Sequence, residues 1–240
     1  MTRDRIRLEI ANTGVAIVTL AHPPLNIYDI AMRDELIEAF NAVRDHPDVR
    51  ALVLAAAGKH FSAGADLKEF GSAATVMTAR SIRWSRDPWT PLWELPQPTV
   101  AAIHGYCLGA GLEMSLLCDI RCASPDAVLG LPETTLGMLP SAGGTQSLAR
   151  AIGAGAARNA VMLAENVDAT EALRHGVVDV IAADVDAHAL NLATVIAAAD
   201  PAVQRAARRA LRAAVDLPLS DGLRQERLLA ARARVSADLE

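Results

Sequence analysis

No uninterrupted apolar run in this 240-residue chain approaches the ~18 residues that a membrane-crossing helix requires, so a membrane span is not expected. The opening Met1-Thr2-Arg3-Asp4-Arg5 carries charge without an apolar stretch behind it, which argues against a secretory leader. Cysteine is scarce and odd in number: Cys107, Cys118 and Cys122 do not make a disulfide framework, and a reducing cytoplasmic setting is expected. Six scattered histidines form no ligand cluster, and Cys118 and Cys122 lack partners at zinc spacing, so no metal is expected. Lysine is nearly absent, with Lys59 and Lys68 the only two among 23 basic residues. A net charge of -5 without a long basic run gives no sequence-wide attraction to nucleic acid or to an anionic membrane.

What is present is apolar: 52% of the residues are hydrophobic, enough for a sizeable core. Residues 5–11 and 15–20 alternate as strands around Asn12-Thr13-Gly14, which predicts a hairpin. Leu36, Phe40 and Val43 at helical spacing predict a helix over 30–45, and residues 49–56 read as a buried strand. A glycine-bearing loop over 57–65, a short helix from Asp66, a strand over 99–104 and a helix from about 111 repeat the rhythm. Short strands follow near 119–123 and 176–181. Beyond residue 153 the pattern is helical, at 154–164, from Asp168 to Arg174, then 186–199, 202–215 and 221–235. Glu171, three residues after Asp168, suits a capping box. Arg205, Arg208, Arg209 and Arg212 form a stripe opposite Val203, Ala207, Leu211 and Ala214, which reads as a solvated basic face.

Two strand-to-helix turns carry the chemistry. In Gly109-Ala110-Gly111-Leu112-Glu113 the small residues let backbone approach a ligand, and the helix start offers unpaired N–H groups. The turn Ser62-Ala63-Gly64-Ala65-Asp66 can aim a second N–H at the same oxygen, and two converging donors make an oxyanion hole. Each turn alone is also explained by packing. Glu113 alone is a favourable helix-dipole partner, and Glu133 after Pro132 an ordinary loop acid; on different elements they can also face each other across a pocket. Paired carboxylates in an apolar cavity couple, so one holds a proton while the other acts as base. Lys59 and Lys68 flank the Ser62 turn, either by chance or as point charges beside a phosphate-bearing ligand. Trp84, Trp89 and Trp93 precede the second turn, where a helix ending before Pro88 would bury them as core or subunit packing.

These residues stand in a recognisable order: Phe61-Ser62-Ala63-Gly64-Ala65-Asp66-Leu67-Lys68, Ala101-Ala102-Ile103-His104-Gly105 through Glu113, Cys118-Asp119, Gly130-Leu131-Pro132-Glu133, Leu136-Gly137, Ala142-Gly143-Gly144-Thr145-Gln146, and Glu171 to Val178. The chain thereby resembles the crotonase, or enoyl-CoA hydratase/isomerase, superfamily over residues 5–235. The resemblance implies an α/β fold, a spiral of β-β-α units with a helical C-terminal layer. It further implies a catalytic acyl-CoA-binding core over residues 1–190, an oligomerisation region over 191–240, and a homotrimer or homohexamer. The implied substrate is an acyl-CoA thioester, with coenzyme A part of the substrate and no separate cofactor. Carried over by position, Ala65 and Ala110 supply the oxyanion N–H groups, and Glu113 and Glu133 match the two glutamates of the hydratases. Ala63, Asp66, Leu67 and Lys68 lie along the segment that contacts coenzyme A, and the stretch holding Trp84, Trp89 and Trp93 matches one that lines the acyl pocket in relatives, although acyl specificity is not read from these residues. Ser141 replaces the glycine whose N–H helps hold the catalytic water. The chain also stops at Glu240, short of the aromatic- and lysine-bearing tail by which many relatives close over coenzyme A. A hydratase is therefore expected; the alternatives are a Δ3,Δ2-enoyl-CoA isomerase and an acyl-CoA-binding member with little catalysis.

Overall fold

Alternating apolar residues and a tight turn set the first structural unit of the computed structural model, which describes residues 4–70, 75, 77, 78 and 85–237. Strands β1 (Ile6–Ile10) and β2 (Val15–Leu20) pair antiparallel, with Ile6 opposite Leu20 and Ile10 opposite Ala16. Gly14, at φ 78°, supplies the left-handed turn residue. Helix α1 (Ile30–Asp45) begins where the Asp29 carboxylate accepts the Met32 N–H at 2.8 Å, and it buries Met32, Leu36, Phe40 and Val43. The chain returns as β3 (Ala51–Ala56), parallel to β2 and buried at every position, as a strand covered on both faces must be. Asp66 then caps the one-turn α2 (Leu67–Phe70) by accepting the Lys68 N–H at 2.8 Å.

Helix α3 (Trp89–Glu94) starts after Pro88, where the sequence reading had a helix ending before it. The Asp87 carboxylate accepts the Trp89 N–H at 2.9 Å and the Thr90 hydroxyl at 2.6 Å, and proline is tolerated at a helix start because its missing N–H has no intrahelical partner there. The chain continues through β4 (Thr99–Ile103), β5 (Tyr106–Leu108), α4 (Ala110–Leu116), β6 (Ile120–Ala123) and β7 (Val128–Gly130). After a 3-10 turn over Pro132–Leu136 come α5 (Gly144–Ile152), α6 (Ala154–Leu163), β8 (Val167–Asp168), α7 (Ala169–His175) and β9 (Val180–Ile181). Only half of the expected capping box forms at α7: Asp168 accepts the Glu171 N–H, while Glu171 turns to Arg174. The expected strand over 176–181 shrinks to two residues because Gly176, at φ 83°, caps α7 in the left-handed conformation.

The main sheet has the order β1-β2-β3-β4-β6-β9, parallel from β2 onward; a second, smaller sheet has the order β5-β7-β8. Alternation divides the core. Leu52 and Leu54 of β3 belong to the cluster that contains Met32, Leu36 and Phe40, whereas Val53 and Ala55 pack with α8 (Val185–Ala197) through Val185, Ala189, Ala193 and Ala197. Alanine at four-residue spacing lets that helix lie close to the sheet.

The last two helices, α9 (Pro201–Asp216) and α10 (Leu219–Ala237), correct the reading of the basic stripe. Arg205 and Arg209 are exposed, but Arg208 turns inward and its Nε donates to Asp119 at 2.6 Å, with a further donation to the Leu95 carbonyl. Arg212 donates to the other Asp119 oxygen at 3.3 Å and lies 3.9 Å from the centre of the Trp93 ring. Val203, Ala207, Leu211 and Ala214 are exposed instead, with Ala207 and Leu211 on the wall of a hollow of about 510 Å³ that Leu116, Leu117 and Ile120 also line. Periodicity identifies an amphipathic helix, but here a carboxylate on the body selects the basic side. Asp119→Ala is expected to lower stability by about 3 kcal/mol, because it leaves the buried Arg208 guanidinium without its counter-charge. Urea unfolding tests this; a loss under about 0.5 kcal/mol contradicts it.

Candidate active site

The two glycine-bearing turns are built against each other. Asn26, fully buried, donates from its amide to the carbonyls of Ala57 (2.9 Å) and His60 (2.7 Å), and its own carbonyl accepts the Ser62 hydroxyl at 2.8 Å. The Ser62 oxygen also accepts the Gly64 N–H at 3.2 Å, which tightens the turn from within. Ser62 is bridged in turn to β5 through Tyr106 O and Leu108 N, both at 2.9 Å. The strand that enters the second turn is therefore tied to the first.

Tyr28 takes the neighbours of Ala65: its N–H donates to Gly64 O and its carbonyl accepts Asp66 N–H, each at 2.9 Å. Those bonds leave the Ala65 N–H directed away from the bridge. Ala110 is the first residue of α4, so its N–H has no intrahelical acceptor. A Cβ placed on Gly64 would lie 3.9 Å from Ala110 N, which puts the two turns in contact.

Both carboxylates flank these turns. Glu113 lies in the first turn of α4 and is 3% exposed; its Oε1 accepts the N–H groups of Ala142 and Gly144, each at 2.9 Å. Burial pushes its pKa up to about 7, the two N–H groups pull it down, and the charge of Glu133 adds to the rise. Glu133, on the 3-10 turn, sets its Oε1 where a Cβ on Gly109 would meet it at 2.7 Å; its Oε2 is buried with no hydrogen-bond partner. Burial raises this carboxyl as well.

The raised Glu113 has a consequence for stability. Below about pH 4.5 it is protonated both folded and unfolded, and its full contribution is present. As pH climbs toward about 7 the unfolded chain releases the proton first, and that contribution is lost. The stability of wild type relative to Glu113→Gln is therefore expected to fall by about 3 kcal/mol between about pH 4 and pH 8. Parallel urea titrations measure it, and a rising difference would reverse the sign.

A cleft of about 80 Å³ brings Ala65, Leu67, Ala110, Glu113, Glu133 and Ser141 onto one lining. Ala63, Asp66 and Lys68 stand beside it rather than on it. The Ala63 N–H is taken by the Leu25 carbonyl, Asp66 caps α2, and Lys59 and Lys68 are exposed. Tyr28, Trp89, Met138, Leu139 and Ala142 complete the wall. Of these the sequence singled out only Trp89 and, as part of a motif, Ala142; Tyr28 lies well upstream of either turn. The Tyr28 and Trp89 rings sit 5.1 Å apart at 40°, and burial pushes the Tyr28 phenol up. Trp93 lies under Arg212, and Trp84 is outside the described residues. Among the described residues no group of three or more histidine, cysteine or acidic side chains could hold a metal ion, and no helix is long and apolar enough to cross a membrane.

Two N–H donors and two carboxylates around one small apolar cleft can stabilise a developing oxyanion while moving a proton. The chain is also similar to known proteins. The enoyl-CoA hydratase/isomerase family model matches residues 10–239. The 2,3-dehydroadipyl-CoA hydratase of Escherichia coli K12 is 38% identical over 221 residues, 90% of this chain and 85% of the relative. The (E)-benzylidenesuccinyl-CoA hydratase of Thauera aromatica is 38% identical over 228 residues, 93% of this chain and 88% of the relative. Among solved structures, an enoyl-CoA hydratase from Bacillus anthracis superposes with TM-score 0.88 at 33% identity, covering 95% of this chain and 90% of that one.

Proposed function

Because the chain belongs to the enoyl-CoA hydratase/isomerase family, matched over residues 10–239, we propose that it adds water across the double bond of a 2-enoyl-CoA thioester. The observation that carries this reading is the placement of Glu113, Glu133, Ala65 and Ala110 on one lining. An isomerase needs one carboxylate to move a proton; two, with room for water between them, suit hydration.

In this reading the thioester oxygen sits between the Ala65 and Ala110 N–H groups. Glu113 acts as base: the donors on its Oε1 favour the anion, and it takes a proton from water as the water oxygen bonds to the β carbon. The electron pair of the double bond moves through the α carbon to the thioester oxygen. Each N–H donor contributes about 3 kcal/mol to that enolate. Glu133 acts as acid, its unpartnered buried Oε2 favouring the protonated form, and returns a proton to the α carbon. The balance is one water added and one 3-hydroxyacyl-CoA formed. The step is redox-neutral, so the residues present suffice and the coenzyme A is the substrate's own. The added Ser141 side chain stands on the lining where the water is placed.

Ala63, Asp66 and Lys68 beside the cleft suit contact with the coenzyme A moiety, with Lys59 and Lys68 near its phosphates. The exposed apolar residues Val203, Leu211 and Val215 suit burial between copies in a trimer or hexamer. Three buried free cysteines suit the cytoplasm. Loss of the conjugated enoyl absorbance with crotonyl-CoA and with longer and cyclic enoyl-CoAs tests the activity. Absence of turnover on every member of that panel would remove the proposal.

A further inference from the structure

Beyond the cleft lies a second hollow, and one side chain divides them. The hollow measures about 400 Å³ and is lined by Asp87, Trp89, Thr90, Trp93, Leu117 and residues 141–143. It shares Trp89, Ser141 and Ala142 with the 80 Å³ cleft. Ser141 and Ala142 are small, and Ala142 is pinned through its N–H to Glu113. The indole of Trp89 is therefore the bulk of the partition.

The partition is also held in place. On the cleft side the indole packs on the Tyr28 ring at 5.1 Å. Behind it, the Asp87 carboxylate fixes the first turn of α3 through the Trp89 N–H and the Thr90 hydroxyl. On the acyl-CoA reading, a chain that leaves the two glutamates past the shared residues Trp89, Ser141 and Ala142 meets the indole before it reaches the hollow.

We infer that Trp89 is a specificity-determining residue, which limits the substrate to a short acyl chain by sealing the cleft from the larger hollow. The inference rests on the acyl-CoA reading of the cleft but not on hydration itself. A chain end that collides by a single methylene loses on the order of ten-fold in kcat/KM. With the indole removed, the hollow becomes continuous with the cleft and the extra methylenes have a place to go.

The test compares wild type, Trp89→Ala and Trp89→Phe on four-carbon and ten-carbon 2-enoyl-CoAs, alongside calorimetric binding of butyryl-CoA and decanoyl-CoA. Wild type is expected to favour the four-carbon chain by at least about ten-fold in kcat/KM. Trp89→Ala is expected to reduce that preference by about ten-fold, with Trp89→Phe in between at about three-fold. The binding constants of the saturated pair should follow the same order. If Trp89→Ala does not fold, Trp89→Phe decides by the same ratio. A preference unchanged within about two-fold in every folded variant, or a wild type indifferent to chain length, overturns the assignment. Should wild type turn over no enoyl-CoA at all, hydration fails, while the butyryl-to-decanoyl binding ratio still judges Trp89.

Discussion

Glu133→Gln is expected to lower kcat on a 2-enoyl-CoA by about a thousand-fold while acyl-CoA binding stays within a few-fold of wild type. The substitution preserves shape on the 3-10 turn and removes the capacity to exchange a proton. Glu133 Oε2 is buried without a partner, so no neighbouring group in the described structure takes over that role. The same change removes a charge that pushes Glu113 upward. The acidic limb of the pH-rate profile, which the deprotonation of Glu113 sets, is therefore expected to move to lower pH in whatever activity remains. Steady-state kinetics over pH, with binding of a saturated acyl-CoA as the control, measure both effects. A kcat within ten-fold of wild type would show that Glu133 does not act on the substrate.

The second large effect is expected at a residue with no functional group. Gly64 adopts φ 101°, a conformation that residues with a Cβ rarely reach. Its Cβ would stand 3.3 Å from the Leu108 carbonyl and 3.9 Å from Ala110 N, between the two turns whose N–H groups must converge. Gly64→Ala therefore strains the first turn and moves it away from the second. The expected result is a loss of about 10²–10³ in kcat/KM, the scale of one oxyanion donor, with a stability loss of about 1–3 kcal/mol. Kinetics and thermal unfolding on the same preparation separate the two. Wild-type kinetics in Gly64→Ala would mean that the turns need not meet.

Much of this arrangement is legible in the sequence because it is carried by side-chain pattern. The hairpin, α1 and β3 follow from alternation and helical spacing, and the two turns and two glutamates follow from residue type and order. The second sheet is not legible in the same way: β5, β7 and β8 have three, three and two residues, too short for a period to declare itself. Nor are the Ala142 and Gly144 donors to Glu113, since a backbone N–H leaves no mark on residue type. Tyr28 reaches the cleft from an upstream loop, a tertiary fact that local pattern does not encode. The inward turn of Arg208 shows a further limit, because the apolar stripe of α9 predicts a helix but not which face meets the body. Asp119 decides that, from another element.

The most direct measurement follows oxygen. Incubation with a 2-enoyl-CoA in ¹⁸O-enriched water, with product masses read against unlabelled water, asks whether solvent enters the bond that Glu113 and Glu133 flank. The expected product is a 3-hydroxyacyl-CoA carrying one solvent oxygen, formed by wild type and nearly abolished in Glu133→Gln. A product of unchanged mass, with the double bond shifted and no solvent oxygen, would contradict hydration at this site.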